Sequence, residues 1–177
     1  HIKFSVFPVT EPAMSIRPIK FQSGATPTME GAGVHLHRVF GFGDTEMFDP
    51  FLMMDDFRND DPKQYLKGFP WHPHRGIETI TYVLKGNVEH ADSLGNKGVL
   101  SDGDVQWMTA GSGIIHQEMP TGNAAGQMHG FQLWANLPRD QKMCTPRYQD
   151  VKSANIVSLT DDDGTHVRVI AGDYRGY

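Results

Sequence analysis

The chain of 177 residues lacks several features that mark particular classes of protein. It has a single cysteine, Cys144, which excludes an intrachain disulfide and fits a reducing compartment, so we predict a cytoplasmic location, or a nuclear one in a eukaryote. No apolar run approaches the roughly 18 residues of a membrane span. The net charge is −5 and no run of Lys or Arg exceeds two residues, so neither a membrane nor nucleic acid is a predicted partner.

Glycine and proline, in contrast, are abundant. There are 19 Gly and 11 Pro, with 38% hydrophobic and 21% charged residues, a composition typical of a folded, turn-rich protein. Segments of alternating or β-branched apolar residues, such as "HRGIETITYVLKG", recur at intervals of roughly 8–12 residues between turn signals such as "DSLGNKG". This pattern predicts an all-β sandwich or barrel with few short helices.

Two short motifs carry metal-ligating side chains on predicted strands. His72 and His74 stand two residues apart in "HPHRG", and His116 and Glu118 stand two residues apart in "IIHQE". Residues i and i+2 of a strand point to the same face, so each pair converges. Two such strands would bring three imidazoles and a carboxylate around one point, which is a suitable set of ligands for a divalent transition metal.

Another H-x-H motif weakens the argument from spacing alone. His35 and His37 in "VHLHRV" have the same separation as His72 and His74. We interpret them as part of a strand face near the surface. The aromatic residues around the motifs, including Phe69 and Trp134, are interpreted as packing residues, of which one or two could line an apolar pocket above the metal.

The motifs in order resemble the pirin family of the cupin superfamily. "DPFLMMDDF", "HPHRG", "DSLGN", "GDVQWMTAG" and "IIHQE" stand at the separations typical of pirins. The resemblance implies a cupin-type jelly-roll β-barrel and one metal ion held by His72, His74, His116 and Glu118. The more general cupin pattern, H-x-H-x3-E, offers Glu78 in place of Glu118, and strand alternation allows either carboxylate.

The resemblance implies two classes of function. One is an oxidoreductase of the flavonol (quercetin) 2,3-dioxygenase type, with Fe(II) as the first choice of metal, Ni, Co, Cu, Mn or Zn as alternatives, and Glu118 as the catalytic base for a flavonol-like aromatic substrate. The other is a non-catalytic iron-binding regulator that acts through protein partners. A partner surface could lie on the acidic loop around Asp55, Asp56, Asp60 and Asp61, although a solvated loop is the simpler interpretation.

Pirins have two β-barrels, so the resemblance also predicts how the chain is divided. We predict an N-terminal leader with the first strands at residues 1–30 and the metal-binding barrel at 31–140. Residues 141–177 are predicted to hold a linker and incomplete or shortened strands of a second domain. Met14 is a candidate native start. Surface exposed by a missing second barrel would favour a homodimer.

Overall fold

Antiparallel strands make up nearly all of the regular secondary structure. The computed structural model describes residues 18–177, and the candidate start at Met14 lies outside these residues. One short helix, α1 (Thr45–Phe48), and three 3-10 turns interrupt the strands. The strands are β1 (Thr26–Glu30), β2 (Val34–Phe40), β3 (Phe51–Asp56), β4 (Phe69–His74), β5 (Ile77–Lys85), β6 (Val88–Asp92), β7 (Lys97–Leu100), β8 (Val105–Thr109), β9 (Ile114–Pro120), β10 (His129–Asn136), β11 (Arg147–Val151), β12 (Val157–Thr160) and β13 (His166–Val169). The predicted all-β class with few short helices is confirmed.

Two sheets enclose the core, as expected for a cupin-type barrel. The larger has seven strands in the order β1-β2-β3-β10-β5-β8-β11, and the smaller has four in the order β4-β9-β6-β7. Buried apolar side chains from both sheets meet in one cluster, which includes Leu36, Val83, Val88 and Leu100. Such burial removes apolar surface from water and is the main stabilising term for the barrel.

The strand pattern of β5 shows how the sequence produces this arrangement. Thr79, Thr81 and Val83 are buried and alternate with partly exposed residues, so one face of the strand points into the barrel. The β-branched residues suit the pleated backbone of a strand. Gly86 then ends the strand at φ 90°, where a Cβ atom would lie 2.7 Å from the carbonyl oxygen of Gln127. A glycine is therefore required at this turn.

A hydrogen bond between two turns fixes the ends of the strands that carry the histidines. The amide of Gly76, just after β4, donates to the carbonyl of Gly111 at 2.8 Å, just before β9. Gly111 adopts φ 50°, and a Cβ there would collide with the backbone carbonyl of Cys144. The "TAGSG" turn therefore depends on glycine to bring the start of β9 beside the end of β4.

Residues after 140 pack on the barrel through one strand and several polar contacts. β11 pairs with β8 and extends the seven-stranded sheet. Lys152 forms an ion pair with the buried Asp104 at 2.8 Å, and Arg168 donates to the Tyr82 hydroxyl and to the carbonyl of Gly103, each at 3.0 Å. β12 and β13 form a separate two-stranded sheet.

The division of the chain at residues 30 and 140 stays a prediction.

The acidic loop does not form one continuous solvated surface. Asp55 and Asp56 are buried, and each pairs with an arginine: Asp55 with Arg38 at 2.9 Å and Asp56 with Arg58 at 2.7 Å. Only the later pair of carboxylates, at residues 60 and 61, is exposed.

Within residues 18–177, no helix has the length and apolar character needed to cross a membrane.

Candidate metal centre

The two predicted histidine motifs lie on adjacent strands of the smaller sheet. β4 pairs antiparallel with β9, and the register places His72 directly opposite His116. Directly opposed residues have Cβ atoms about 4.5–5.5 Å apart, so their side chains meet on the same face. His74 is opposite Ile114, one side-chain step further along the same face of β4.

The three imidazoles form a compact cluster. Their candidate ligand nitrogens all lie within 4.8 Å of one another, and the Nε2 atoms of His72 and His116 are 3.0 Å apart. A separation of about 3 Å is expected for two nitrogen ligands at right angles around an ion at about 2.1 Å. His72 Nδ1 lies 2.8 Å from the carbonyl oxygen of Pro70, to which it donates when Nε2 is the ligand atom.

Burial disfavours the charged form of two of these histidines, His74 and His116. Removal from water, together with the neighbouring His116 and His72, lowers the pKa of His74 to about 4. Burial likewise lowers the pKa of His116. The buried Nε2 atom of His74 has no hydrogen-bond partner. A neutral imidazole with a free buried nitrogen is what a metal ion requires, so the residues fit a divalent metal ion.

Glu118 lies beside the cluster but is held by its own hydrogen bonds. Its Oε2 atom is 3.9 Å from Nε2 of His116. Gln132 Nε2 donates to both carboxylate oxygens at 2.9 and 3.0 Å, and the Thr81 hydroxyl donates at 3.2 Å. Burial raises the pKa of Glu118, but His116 and the Gln132 amide outweigh it, and the pKa lies below its ordinary value.

The competing carboxylate occupies different surroundings. Glu78 Oε1 accepts a hydrogen bond from the Thr109 hydroxyl at 2.6 Å. Neither Glu78 nor Glu118 belongs to the group of metal-ligating side chains that the structure brings together among residues 18–177, which consists of the three histidines. Glu118 is buried beside the histidines, whereas Glu78 lies on the face of β5 opposite the inward-facing Thr79 and Thr81.

A hydrogen-bonded series extends from Glu118 to the wall of a large cavity. Trp134 Nε1 donates to Gln132 Oε1 at 2.9 Å, which orients the amide so that its nitrogen faces Glu118. The cavity has a volume of about 730 Å³, and His72, His74 and Glu118 contribute to its lining. Its apolar lining includes Phe42, Leu52, Met53, Phe57, Phe69 and Trp134. Two of the predicted packing aromatics, Phe69 and Trp134, therefore line a pocket at the histidine cluster.

Sequence reasoning missed the residues that contact the site from elsewhere in the chain. Gln132 approaches Glu118 from β10, and the Tyr148 hydroxyl lies 3.4 Å from His116 Nδ1. Gln132 had a signal, since it shares a strand face with Trp134, but Tyr148 had none within its own segment. His35 and His37 lie exposed on β2, as interpreted from the sequence.

Comparisons with known proteins place this site in a family. The Pirin family model matches residues 33–135, which is more than half of the chain. A pirin-like protein of Caulobacter vibrioides is 49% identical over 159 residues, which cover 90% of this chain and 57% of the relative. The chain spans little more than half of the length of the curated relatives it matches, with 57%, 52% and 55% of three of them covered.

Solved structures agree with this match. A quercetin 2,3-dioxygenase from Acinetobacter baumannii shares 36% identity at a TM-score of 0.76, over 89% of this chain and 58% of that one. A bacterial pirin of Escherichia coli in complex with nickel(II) shares 31% identity at a TM-score of 0.54, over 70% of this chain and 52% of that one. The predicted resemblance is confirmed: this chain belongs to the pirin family and has its cupin-type fold.

Proposed function

We propose that this chain holds a divalent metal ion and forms the metal-binding part of an oxidoreductase of the flavonol 2,3-dioxygenase type. The observation that carries the proposal is the cluster of three histidines, two of them buried, at a mainly apolar cavity of about 730 Å³. Ligand sites are typically concave and apolar with a few polar groups placed for chemistry. The relatives named for quercetin 2,3-dioxygenase activity support the same class of substrate.

His72, His74 and His116 would hold the ion, with Glu118 as the fourth ligand or as a group beside it. Fe(II) is our first choice of metal because of the family resemblance, while the nickel(II) complex of the Escherichia coli pirin supports a divalent ion in general. When bound, such an ion supplies Lewis-acid and redox chemistry toward a substrate oxygen and O2.

The residues of the chain have separate tasks in this proposal. Phe69 and Trp134 line the cavity and offer apolar surface to the flat rings of a flavonol. Glu118 accepts the proton of the flavonol hydroxyl as general base. Gln132 donates to both carboxylate oxygens and holds Glu118 ionised, so that it is ready to accept the proton at neutral pH.

The test is oxygen uptake by the metal-loaded protein. The purified chain is loaded anaerobically with Fe(II), a flavonol such as quercetin is added, and O2 consumption is followed. His116→Ala is the variant that removes a ligand, and His35→Ala is the control for loss of a strand histidine. We expect substrate-dependent uptake in the wild type and in His35→Ala, and none in His116→Ala.

Two other outcomes would redirect the assignment. Iron bound by the wild type without any uptake would argue against catalysis by this chain and favour the non-catalytic regulator that acts through partners. Full turnover by Glu118→Ala, in contrast, would retain the oxidoreductase but remove the base role from Glu118. Isothermal titration with Fe(II) under argon distinguishes loss of catalysis from loss of metal.

A further inference from the structure

The two ring nitrogens of His116 face different surroundings. His116 is fully buried, with Nε2 3.0 Å from His72 Nε2 and Nδ1 3.4 Å from the hydroxyl oxygen of Tyr148. If Nε2 belongs to the metal site, Nδ1 carries the ring hydrogen and has to donate it. A buried N–H without an acceptor is destabilising, so the structure has to supply one.

A second polar side chain near His116, that of Asp92, forms its hydrogen bonds elsewhere. Asp92 is opposite His116 in the β6–β9 register. Its Oδ1 accepts from the backbone amides of Leu94 and Asn96 at 2.8 and 2.9 Å, and its Oδ2 accepts from the Asn96 side chain. These three hydrogen bonds direct the Asp92 carboxylate toward the turn that follows β6. Within the described part of the chain, the hydrogen-bond contact of His116 Nδ1 is the Tyr148 hydroxyl, and none joins it to Asp92.

Strand pairing and a stacking contact hold the Tyr148 ring in place. β11 pairs with β8 and places Tyr148 opposite Met108. The ring stacks on the imidazole of His90, with centroids 5.9 Å apart and an angle of 15° between the planes. His90 Nε2 lies 3.2 Å from Asp150 Oδ2 but does not form a hydrogen bond with it. Gln106 donates to Asp150 Oδ1 at 3.1 Å.

We infer that Tyr148 is a positioning residue for the metal centre: its hydroxyl oxygen accepts the Nδ1 hydrogen of His116 and so directs Nε2 toward His72 and His74. The inference rests on the metal site proposed above. Groups that hold the second nitrogen of a ligand histidine fix its tautomer and ring orientation and increase its basicity. Tyr148 lies beyond residues 33–135, so the matched family segment does not contain it.

The test compares two Tyr→Phe substitutions in the full chain. Tyr148→Phe keeps the ring that stacks on His90 and removes only the hydroxyl. Tyr82→Phe is the matched control, because the Tyr82 hydroxyl contacts Arg168 at 3.0 Å. Co(II) is titrated into each protein, and the affinity and the visible absorption bands are recorded. We expect the Kd of Tyr148→Phe to rise about tenfold with shifted bands, and Tyr82→Phe to match the wild type.

Two results would overturn the inference while leaving the metal site intact. One is a Tyr148→Phe protein with wild-type affinity and spectrum. The other is an equal loss in both variants, which would indicate a general effect on the sheet. A wild type that binds no Co(II) would instead overturn the metal site itself, and the inference with it.

A measurement on the wild type serves if Tyr148→Phe does not fold. In the zinc-loaded protein, histidine-ring NMR reports which nitrogen of His116 carries the hydrogen. We expect a hydrogen on Nδ1, with a nuclear Overhauser effect to the Tyr148 ring. A His116 ring with no hydrogen on Nδ1 would contradict the role of Tyr148 even though zinc is bound.

Discussion

β2 and β4 carry the same H-x-H motif, yet their histidines have opposite environments. In β2, Val34 and Leu36 are buried and His35 and His37 are exposed. In β4, the histidines face inward and the residues between and before them are exposed. The motif therefore has no chemical meaning by itself. What matters is which face of the strand points inward and whether the neighbouring strand adds a third ligand.

The neighbour makes the larger difference. His72 is directly opposite His116 on β9, whereas His35 is opposite Met29 on β1. A cross-strand histidine turns two candidate ligands into three, and the barrel buries two of them, His74 and His116. The following predictions test this contrast between the inner and outer pairs.

The largest expected effect is the loss of an inner ligand. His72→Ala should weaken Ni(II) or Co(II) binding by more than about 100-fold, since even residues that only support a ligand histidine contribute 10–100-fold. His35→Ala is the matched substitution in the outer motif and should leave the affinity unchanged. Isothermal titration calorimetry measures both. Equal affinities for the two variants would mean that the inner cluster is not the metal site.

The inner pair should also make the stability of the metal-free protein depend on pH. Burial lowers the pKa of His74 to about 4 in the folded chain, while the unfolded chain takes up the proton near pH 6.5. The free energy of unfolding should therefore fall by up to about 3 kcal/mol between about pH 6.5 and 4, and be insensitive to this group above that range.

Urea denaturation in EDTA, at pH 7 and pH 5, measures this effect. His74→Gln should show a smaller loss of stability on acidification than the wild type. His35→Gln serves as the control for removing an exposed strand histidine. The explanation fails if His74→Gln loses as much stability as the wild type does.

A smaller effect is expected at the carboxylate beside the inner pair. Gln132→Leu removes the donor to both oxygens of Glu118, so the pKa of Glu118 should rise. The free energy of unfolding should fall by about 1–3 kcal/mol because a buried acceptor loses its partner. Gln117→Leu is the control, since Gln117 follows His116 on the opposite face of β9. A Gln132→Leu protein as stable as Gln117→Leu would argue against this role.

The smallest effect is a gain at the outer pair. Met29 is 62% exposed and lies opposite His35, so Met29→His adds the cross-strand histidine that β2 lacks. We expect a second, weaker Ni(II) site without loss of the inner one. Equilibrium dialysis should then give two ions per chain at high Ni(II) concentration, and His37→Ala in the Met29→His background should remove the second.

Sequence reasoning could predict those parts of the site that depend on strand alternation. The alternating apolar residues predicted the all-β fold, and in β2 the buried Val34 and Leu36 already indicated that His35 and His37 point outward. Alternation also placed His72 and His74 on one face. It could not choose between Glu118 and Glu78, because Glu78 follows the turn at Gly76 and its face on β5 cannot be counted from His72 and His74 on β4.

The contacts between distant segments could not be predicted in this way. Gln132 is 14 residues from Glu118, and Tyr148 is 32 residues from His116. Whether such residues meet depends on the order of strands in the sheets, which the local pattern does not encode. The same limitation applied to the acidic loop, where the pairing of Asp55 with Arg38 joins neighbouring strands β3 and β2.

The position of β11 in the chain has a consequence for biosynthesis. A ribosome releases β4 and β9 before it releases β11, since synthesis proceeds from the N-terminus. The three histidines can therefore meet in a nascent chain whose Tyr148 is still inside the exit tunnel. In that chain the Nδ1 hydrogen of His116 has no phenol to receive it. With the role proposed above for Tyr148, the centre would mature in two stages: the histidine cluster would assemble first, and its orientation would become fixed when β11 pairs with β8.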